Sequence, residues 1–192
     1  MGRKVRSSDS RGTGSTLKFH AVPIEGAWLI DSEPIEDERG FFARTFCQEE
    51  FSRRGLNADV SQCSLSFNRM KGTLRGMHVQ RAPHTEAKLV RCNQGAIYDV
   101  IVDLRPTSPS YTRWFAVELQ ATDNQMLYVP EGVAHGFQTL VDRAEVCYQI
   151  SAAYHPESSA GVRWNDPAFA FEWPLTVSVI SVRDRSYPDW TL

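Results

Sequence analysis

The chain lacks any Cys-x-x-Cys pair: its four cysteines, Cys47, Cys63, Cys92 and Cys147, are widely scattered. That spacing suggests neither a zinc ribbon nor a disulfide framework, and four reduced, mostly buried thiols are expected. No apolar run approaches the roughly 20 residues that a membrane-spanning helix needs, and no apolar stretch of a secretory signal stands near the N-terminus. The expectation is a cytoplasmic protein with no membrane partner. Charge of one sign is not in excess either, with 21 Lys+Arg against 23 Asp+Glu and a formal net charge of -2. Such a balance gives no global field that would hold a polyphosphate backbone, so no nucleic-acid partner is expected. Helical periodicity is nearly absent, and no internal repeat is visible.

What is present is a chain of 192 residues with 42% hydrophobic and 23% charged side chains. That suffices for one domain with a full core and lies far from the composition of disordered chains. Residues 1–16 (MGRKVRSSDSRGTGST) are rich in Ser, Gly and basic residues and are expected to form a flexible leader before a single domain over 17–192. The Arg-Gly-Thr-Gly-Ser piece within it superficially resembles a phosphate loop. No strand precedes it, no helix pattern follows it, and no Gly-Lys-Ser/Thr is present.

From Leu17 onward, short apolar or alternating runs are broken every 8 to 12 residues by Gly, Pro, Asn or Asp, the rhythm of antiparallel β structure. The clearest strands are expected over 88–92, 96–104, 114–119, 126–129, 137–140 and 145–151, with one short helix over 48–54. A long β chain with one core is a sandwich or a barrel.

Strand parity supplies candidate site residues. A two-residue turn at Gln94-Gly95 would pair Asn93 with Ala96, Val90 with Asp99 and Lys88 with Ile101, placing Lys88, Asp99 and Asp103 on one otherwise apolar face. Lys and Asp are seldom buried unpaired, so this face either lines a polar cavity or holds a structural salt bridge. The cavity is the favoured reading, because perturbed ionisable groups gather at sites. Tyr148 falls on the same side of its strand as Val146 and Ile150, and its hydroxyl must find a partner inside. A core tyrosine with one hydrogen bond is the commoner case. His78 and His135, each following glycine residues, shift the balance, because together with Lys88 and Tyr148 they make an acid and base set.

These residues stand within GTLRGMHVQ (72–80), KLVR (88–91), DVIVDLRPTSPSY (99–111), VPEGVAHGF (129–137) and RWNDP (163–167), in that order. The series resembles the dTDP-4-dehydrorhamnose 3,5-epimerase family over about 35–184. The resemblance implies an all-β, cupin-type double-stranded β-helix (jelly roll) with a few short helices, and a homodimer that exchanges strands. It also implies epimerisation of a nucleotide-diphosphate sugar, a 4-keto-6-deoxyhexose, with no cofactor and no metal. Residue by residue, it implies His78 as general base, Asp184 as the carboxylate that orients it, Tyr148 as proton donor and Lys88 beside the 4-keto oxygen. His135 is implied as a second pocket histidine, with Asp99 to orient it, and Arg39, Gln62, Arg75 and Arg183 as nucleotide and diphosphate contacts. Two positions depart from the pattern: Gln62-Cys63-Ser64 stands where Gln-x-Asn is common, and Arg44 stands where several members carry Glu.

The chemistry agrees with this set. A proton alpha to a ketone is weakly acidic, and an imidazole of pKa about 6.5 removes it only if the developing enolate oxygen is stabilised. Lys88 would supply that charge, and reprotonation from the opposite face needs a distinct acid, Tyr148, for which an unperturbed pKa near 10 is expected. Two alternatives are weighed beside it. One is an epimerase acting at C3 or C5 alone. The other is a metal-dependent cupin oxygenase using His78, His84, Glu86 and His135, disfavoured because Gln80 stands where the second metal histidine would be.

Overall fold

The computed structural model describes residues 15–191. Most of the expected leader, including all of Arg-Gly-Thr-Gly before Ser15, therefore lies outside the described residues. Ser15 and Thr16 are tied to the fold: Ser15 Oγ donates to Glu33 O at 2.5 Å and accepts from Arg44 N–H at 2.8 Å, and Thr16 O accepts from Glu33 N–H.

The chain opens with β1 (Leu17–Ala21), β2 (Trp28–Ser32) and a small hairpin of β3 (Ile35–Asp37) and β4 (Gly40–Phe42), followed by helix α1 (Gln48–Ser52). Strands β5 (Gln62–Asn68), β6 (Thr73–Gln80), β7 (Lys88–Gln94), β8 (Ala96–Asp103) and β9 (Trp114–Gln120) come next. They are followed by β10 (Gln125–Val129), β11 (Val133–Thr139), β12 (Ala144–Ile150), β13 (Ser159–Gly161), β14 (Val179–Ile180) and helix α2 (Val182–Arg185). One sheet runs β1-β2-β10-β7-β12-β5 and the facing sheet β13-β6-β11-β8-β9, with β14 added in parallel to β6. From β5 to β12 the chain passes repeatedly between the two sheets, which makes this all-β fold a jelly roll. Among the described residues no helix is long and apolar enough to cross a membrane.

The passage between sheets corrects the expected hairpin. The chain does turn at Gly95, whose φ of 78° suits glycine, but β7 pairs with β10 and β12 while β8 pairs with β11 and β9. Lys88 and Asp99 therefore belong to facing sheets, not to neighbouring strands. Parity within β7 and β8 still holds. Val90 and Cys92 of β7 and Ile97 and Ile101 of β8 meet in the core between the sheets, joined by Leu127, Val133, Phe137 and Val146. The side chains of the opposite parity on β8, Val100 and Val102, pack outward with Met77, Val79, Phe169 and Phe171. Phe51 of α1 covers the other sheet, against Ile30, Leu89, Met126 and Tyr128. The β6–β11–β8 part of its sheet is thus covered on two faces, which explains why β11 is buried at every position and begins at Val133, not at 137 as expected: a doubly covered strand loses the alternation that marks one.

The three charged residues of the expected cluster have separate fates. Asp103 does not reach the cavity. Its carboxylate accepts from Arg105 Nε at 2.8 Å and Nη2 at 2.7 Å, and from the Ser108 and Ser110 hydroxyls at 2.5 and 2.6 Å. Burial alone would push its pKa up, and these donors more than offset it, holding the carboxyl at about 2. The cysteines are free, but only Cys92 is buried and Cys63 is exposed, where mostly buried thiols were expected. Burial raises the Cys92 thiol to about 11.

Because the folded-state pKa of Asp103 lies below its unfolded value, its contribution is complete above about pH 4 and is lost as pH falls through about 2. We expect Asp103→Asn to cost about 2 kcal/mol at pH 7. In urea titrations at stepped pH, the gap between variant and parent should close as pH falls from about 4 toward 2.

Candidate active site

A cavity of about 370 Å³ opens between the two sheets. Its first wall is the pair β6 and β11, where His78 and His135 are direct cross-strand partners and the next pair is Phe137 with Arg75. Two residues of β6, Gly76 and Met77, therefore stand opposite the single residue Gly136, a β-bulge. The bulge reverses the parity of β6, so that Arg75 and His78, three apart, both line the cavity while Met77 packs outward. Only glycine fits there. A Cβ on Gly76 would lie 2.5 Å from Gly136 Cα, and one on Gly136 would lie 2.6 Å from Met77 Sδ and 2.7 Å from Arg75 O.

Each histidine is held by a buried carboxylate. His78 Nε2 lies 2.7 Å from Asp184 Oδ1, and His135 Nε2 lies 2.6 Å from Asp99 Oδ1. An ionised carboxylate only accepts, so each keeps a proton on Nε2 and leaves Nδ1 as the basic nitrogen. Asp184 arrives from far along the chain. β14 pairs with Thr73 and Leu74 at the start of β6, and α2 begins at once with Ser181 as N-cap, its hydroxyl accepting from Asp184 N–H at 3.0 Å. Burial would raise the Asp184 carboxyl, but hydrogen bonds from His78 and from Gly76 N–H, the latter at 3.1 Å, bring it below the usual range. Asp99 is fully buried, and its Oδ2 has no protein partner among the described residues.

The facing sheet contributes Lys88 from β7, Tyr148 from β12, and Gln62, Ser64 and Ser66 at alternate positions of β5. Lys88 is 8% exposed, and its Nζ lies 3.0 Å from Glu86 Oε1 and donates to His78 O at 3.3 Å. An ammonium has three donors, so one remains for a ligand. The Tyr148 ring meets the His135 ring edge-on at 5.9 Å and 77°. Burial, then the charge of Asp99, raises the Tyr148 pKa well above the ordinary phenol value expected from sequence. At neutral pH this tyrosine is a fully protonated donor.

Among the expected binding residues, Gln62, Arg75, His135 and Arg183 line the cavity. Arg75 Nε donates to Asn68 Oδ1 at 2.7 Å, and Arg183 Nη2 donates to Ser159 Oγ at 2.6 Å. Arg39 does not join them: it sits in the β3–β4 turn, largely exposed and paired with Asp37. Arg44 is also elsewhere, bonded to Glu50 at 2.9 Å. Sequence reasoning named neither Tyr154 nor Ser159 on the rim. It placed Glu86 only in a metal set, although its position two residues before Lys88 signals a shared side. The metal-cupin arrangement does not form. His84 is not among the residues lining the cavity and stacks on His155, and the His78 and His135 Nε2 atoms are engaged by Asp184 and Asp99.

A family model described as dTDP-4-dehydrorhamnose 3,5-epimerase matches residues 21–191. The chain is 42% identical over 158 residues to the dTDP-4-dehydrorhamnose 3,5-epimerase of Escherichia coli (strain K12), covering 82% of this chain and 85% of that protein. The crystal structure of the Bacillus anthracis dTDP-4-dehydrorhamnose 3,5-epimerase with TDP and PPi bound is 36% identical, with a TM-score of 0.87 over 91% of this chain and 100% of that one. A 3'-monoepimerase from Streptomyces bikiniensis in complex with dTDP-quinovose is 32% identical, with a TM-score of 0.82 over 88% of this chain and 86% of that one.

The bulge gives this site a test independent of turnover. Gly136→Ala forces a methyl group into Met77 and the Arg75 carbonyl, so it should cost about 1–3 kcal/mol in chemical denaturation, whereas an unchanged midpoint would show that the β6–β11 approach is not tight.

Proposed function

The chain belongs to the dTDP-4-dehydrorhamnose 3,5-epimerase family, and is an isomerase of that kind; from this premise we propose that it inverts both C3 and C5 of a dTDP-linked 4-keto-6-deoxyhexose, without a cofactor. The observation that supports this reading best is the division of one cavity between a carboxylate-held base, His78, on one sheet and a protonated phenol, Tyr148, on the other, with the Lys88 ammonium in the same cavity.

C3 and C5 both flank the C4 ketone, so one enolate chemistry serves both carbons. In this reading His78 Nδ1 takes the alpha proton, and Asp184 fixes the ring and stabilises the imidazolium that results. The free donor of Lys88 meets the negative charge developing on the 4-keto oxygen. Tyr148 returns a proton from the opposite face. Its raised pKa keeps that proton in place until a carbanionic carbon, far more basic than a phenolate, draws it off. Arg75 and Arg183 bring positive charge to the cavity and would take the diphosphate, for which the forked guanidinium is suited.

A homodimer completes the proposal. The β3–β4 hairpin holds Phe41 and Phe42 exposed at 60% and 70%, and the edge strand β5 exposes Leu65 and Phe67. An apolar arm and an apolar sheet edge are surfaces that a second copy would cover. Such an exchange would carry Arg39, remote from its own cavity, to the partner's. We place the enzyme in the cytoplasm, where nucleotide sugars are made and used.

Proton NMR of dTDP-4-keto-6-deoxyglucose in deuterium oxide should show loss of both the C3 and the C5 signals. Loss of one alone would replace this reading with a single-site epimerase. His78→Ala should lower turnover by about 10²–10⁴-fold and stop exchange at both carbons. Tyr148→Phe should lose inversion while retaining exchange, and parental activity in His78→Ala would overturn the assignment. For the dimer, light scattering should give twice the chain mass. Mixing inactive Arg39→Ala with inactive His78→Ala should restore activity, because one site of each mixed dimer would be intact.

A further inference from the structure

Beside the cavity, on the side where β6 ends, stands a second cluster of ionisable side chains that the proposed chemistry does not use. His84 follows β6, His155 follows β12, and Glu157 lies in the short 3-10 turn Pro156–Ser158. One ligand atom from each of the three lies within 4.8 Å of the other two. His155 Nδ1 is 2.9 Å and His84 Nε2 3.9 Å from the same Glu157 oxygen, Oε1. We propose that His84, His155 and Glu157 form a binding site for a divalent transition ion of borderline softness, Zn²⁺ foremost.

The backbone holds the two histidines ready. Gln80, 2% exposed, donates through Nε2 to His84 O at 3.0 Å and accepts at Oε1 from His155 N–H at 2.6 Å. Its Nε2 also donates to Ala153 O at 3.1 Å, so one buried amide clamps both segments. The ring nitrogens and the carboxylate stay accessible: the side chains of His84 and His155 are about one-third exposed and that of Glu157 is 66% exposed. Two imidazoles and one carboxylate suit Zn²⁺, Ni²⁺ or Cu²⁺ and serve Mg²⁺ and Ca²⁺ poorly, since those ions prefer sets made wholly of oxygen. Water would fill the remaining position. The rings now stack face to face, 3.5 Å apart and 5° from parallel. Their lone pairs thus lie in parallel planes, and an ion about 2 Å from both nitrogens requires the stack to hinge open toward Glu157. An ion held there would tie the loop after β6 to the segment carrying Tyr154, a residue of the cavity rim.

The test is calorimetric titration of Zn²⁺ into the tag-free full chain, with Mg²⁺ as comparison. We expect one Zn²⁺ per chain and no saturable Mg²⁺ binding. His155→Ala and the near-isosteric Glu157→Gln should each weaken Zn²⁺ by about tenfold or more, while His78→Asn should leave the affinity within about twofold, because the cavity histidines are not its ligands. Unchanged affinity in Glu157→Gln, loss of binding in His78→Asn, or equal binding of Mg²⁺ would each overturn the site. The readout does not depend on turnover, so the epimerase reading and this one stand or fall separately.

Discussion

Two residues of β6 facing one residue of β11 is the constraint on which the rest of the site depends. Without the extra residue, Arg75 and His78 would point to opposite faces of the sheet, since side chains alternate. With it, both enter the cavity and His78 stands directly beside His135. The bulge requires two backbones to approach more closely than any Cβ allows, which is why glycine occupies both sides of the crossing. It also aims Gly76 N–H at Asp184 Oδ2. One local irregularity thereby sets the direction of His78 and supplies a donor to the carboxylate that holds it.

The rest of the chain serves to bury that crossing and to reach it. The C-terminal segment lays Phe169, Phe171, Trp173 and Trp190 over the outer face of the β6–β11–β8 sheet, and Trp190 N–H donates to Asp166 Oδ2 at 2.6 Å. Between those aromatics the chain runs along the edge of β6 as β14, and its next turn presents Asp184 and Arg183. The long tail is therefore both the cover of one sheet and the source of two site residues. Its aromatic packing outweighs the weak helix propensity of a four-residue α2, which has no stability of its own.

Much of this was legible in the chain, and the failures have physical causes. Lys88, Asp99 and Tyr148 were correctly aimed inward because period-two parity is a local property of a strand. Pairing is not local. The turn at Gln94-Gly95 is real, but in a jelly roll such a turn can lead to the opposite sheet, and nothing in the sequence of a hairpin-like turn distinguishes the two outcomes. The expected strand over 137–140 leaves out His135 because β11 is covered on both faces and shows no alternation. Asp103 was grouped with the cavity because parity tells direction and not depth along the strand: it sits at the far end of β8, where Arg105, Ser108 and Ser110 enclose it. Tyr148 departs from an ordinary phenol because burial, and then the charge of Asp99, raise its pKa, and parity alone reveals neither how deeply the ring sits nor which carboxylate faces it. His84 lies close to His78 in sequence, yet the chain turns after β6 and His84 stacks on His155 instead.

Among the described residues the sheet that carries the two histidines and the sheet that carries the tyrosine do not pair with each other; apolar side chains such as Phe137 and Val146 join them, together with the Lys88 ammonium that donates to His78 O. The spacing across the cavity is thus set largely by core volume. A methylene gained or lost in that layer would move one wall against the other by a fraction of an ångström without changing any polar residue of the cavity. Stereochemical outcome can therefore diverge within such a scaffold through changes that never touch the ligand, and relatives with an identical set of polar residues need not deliver the same sugar.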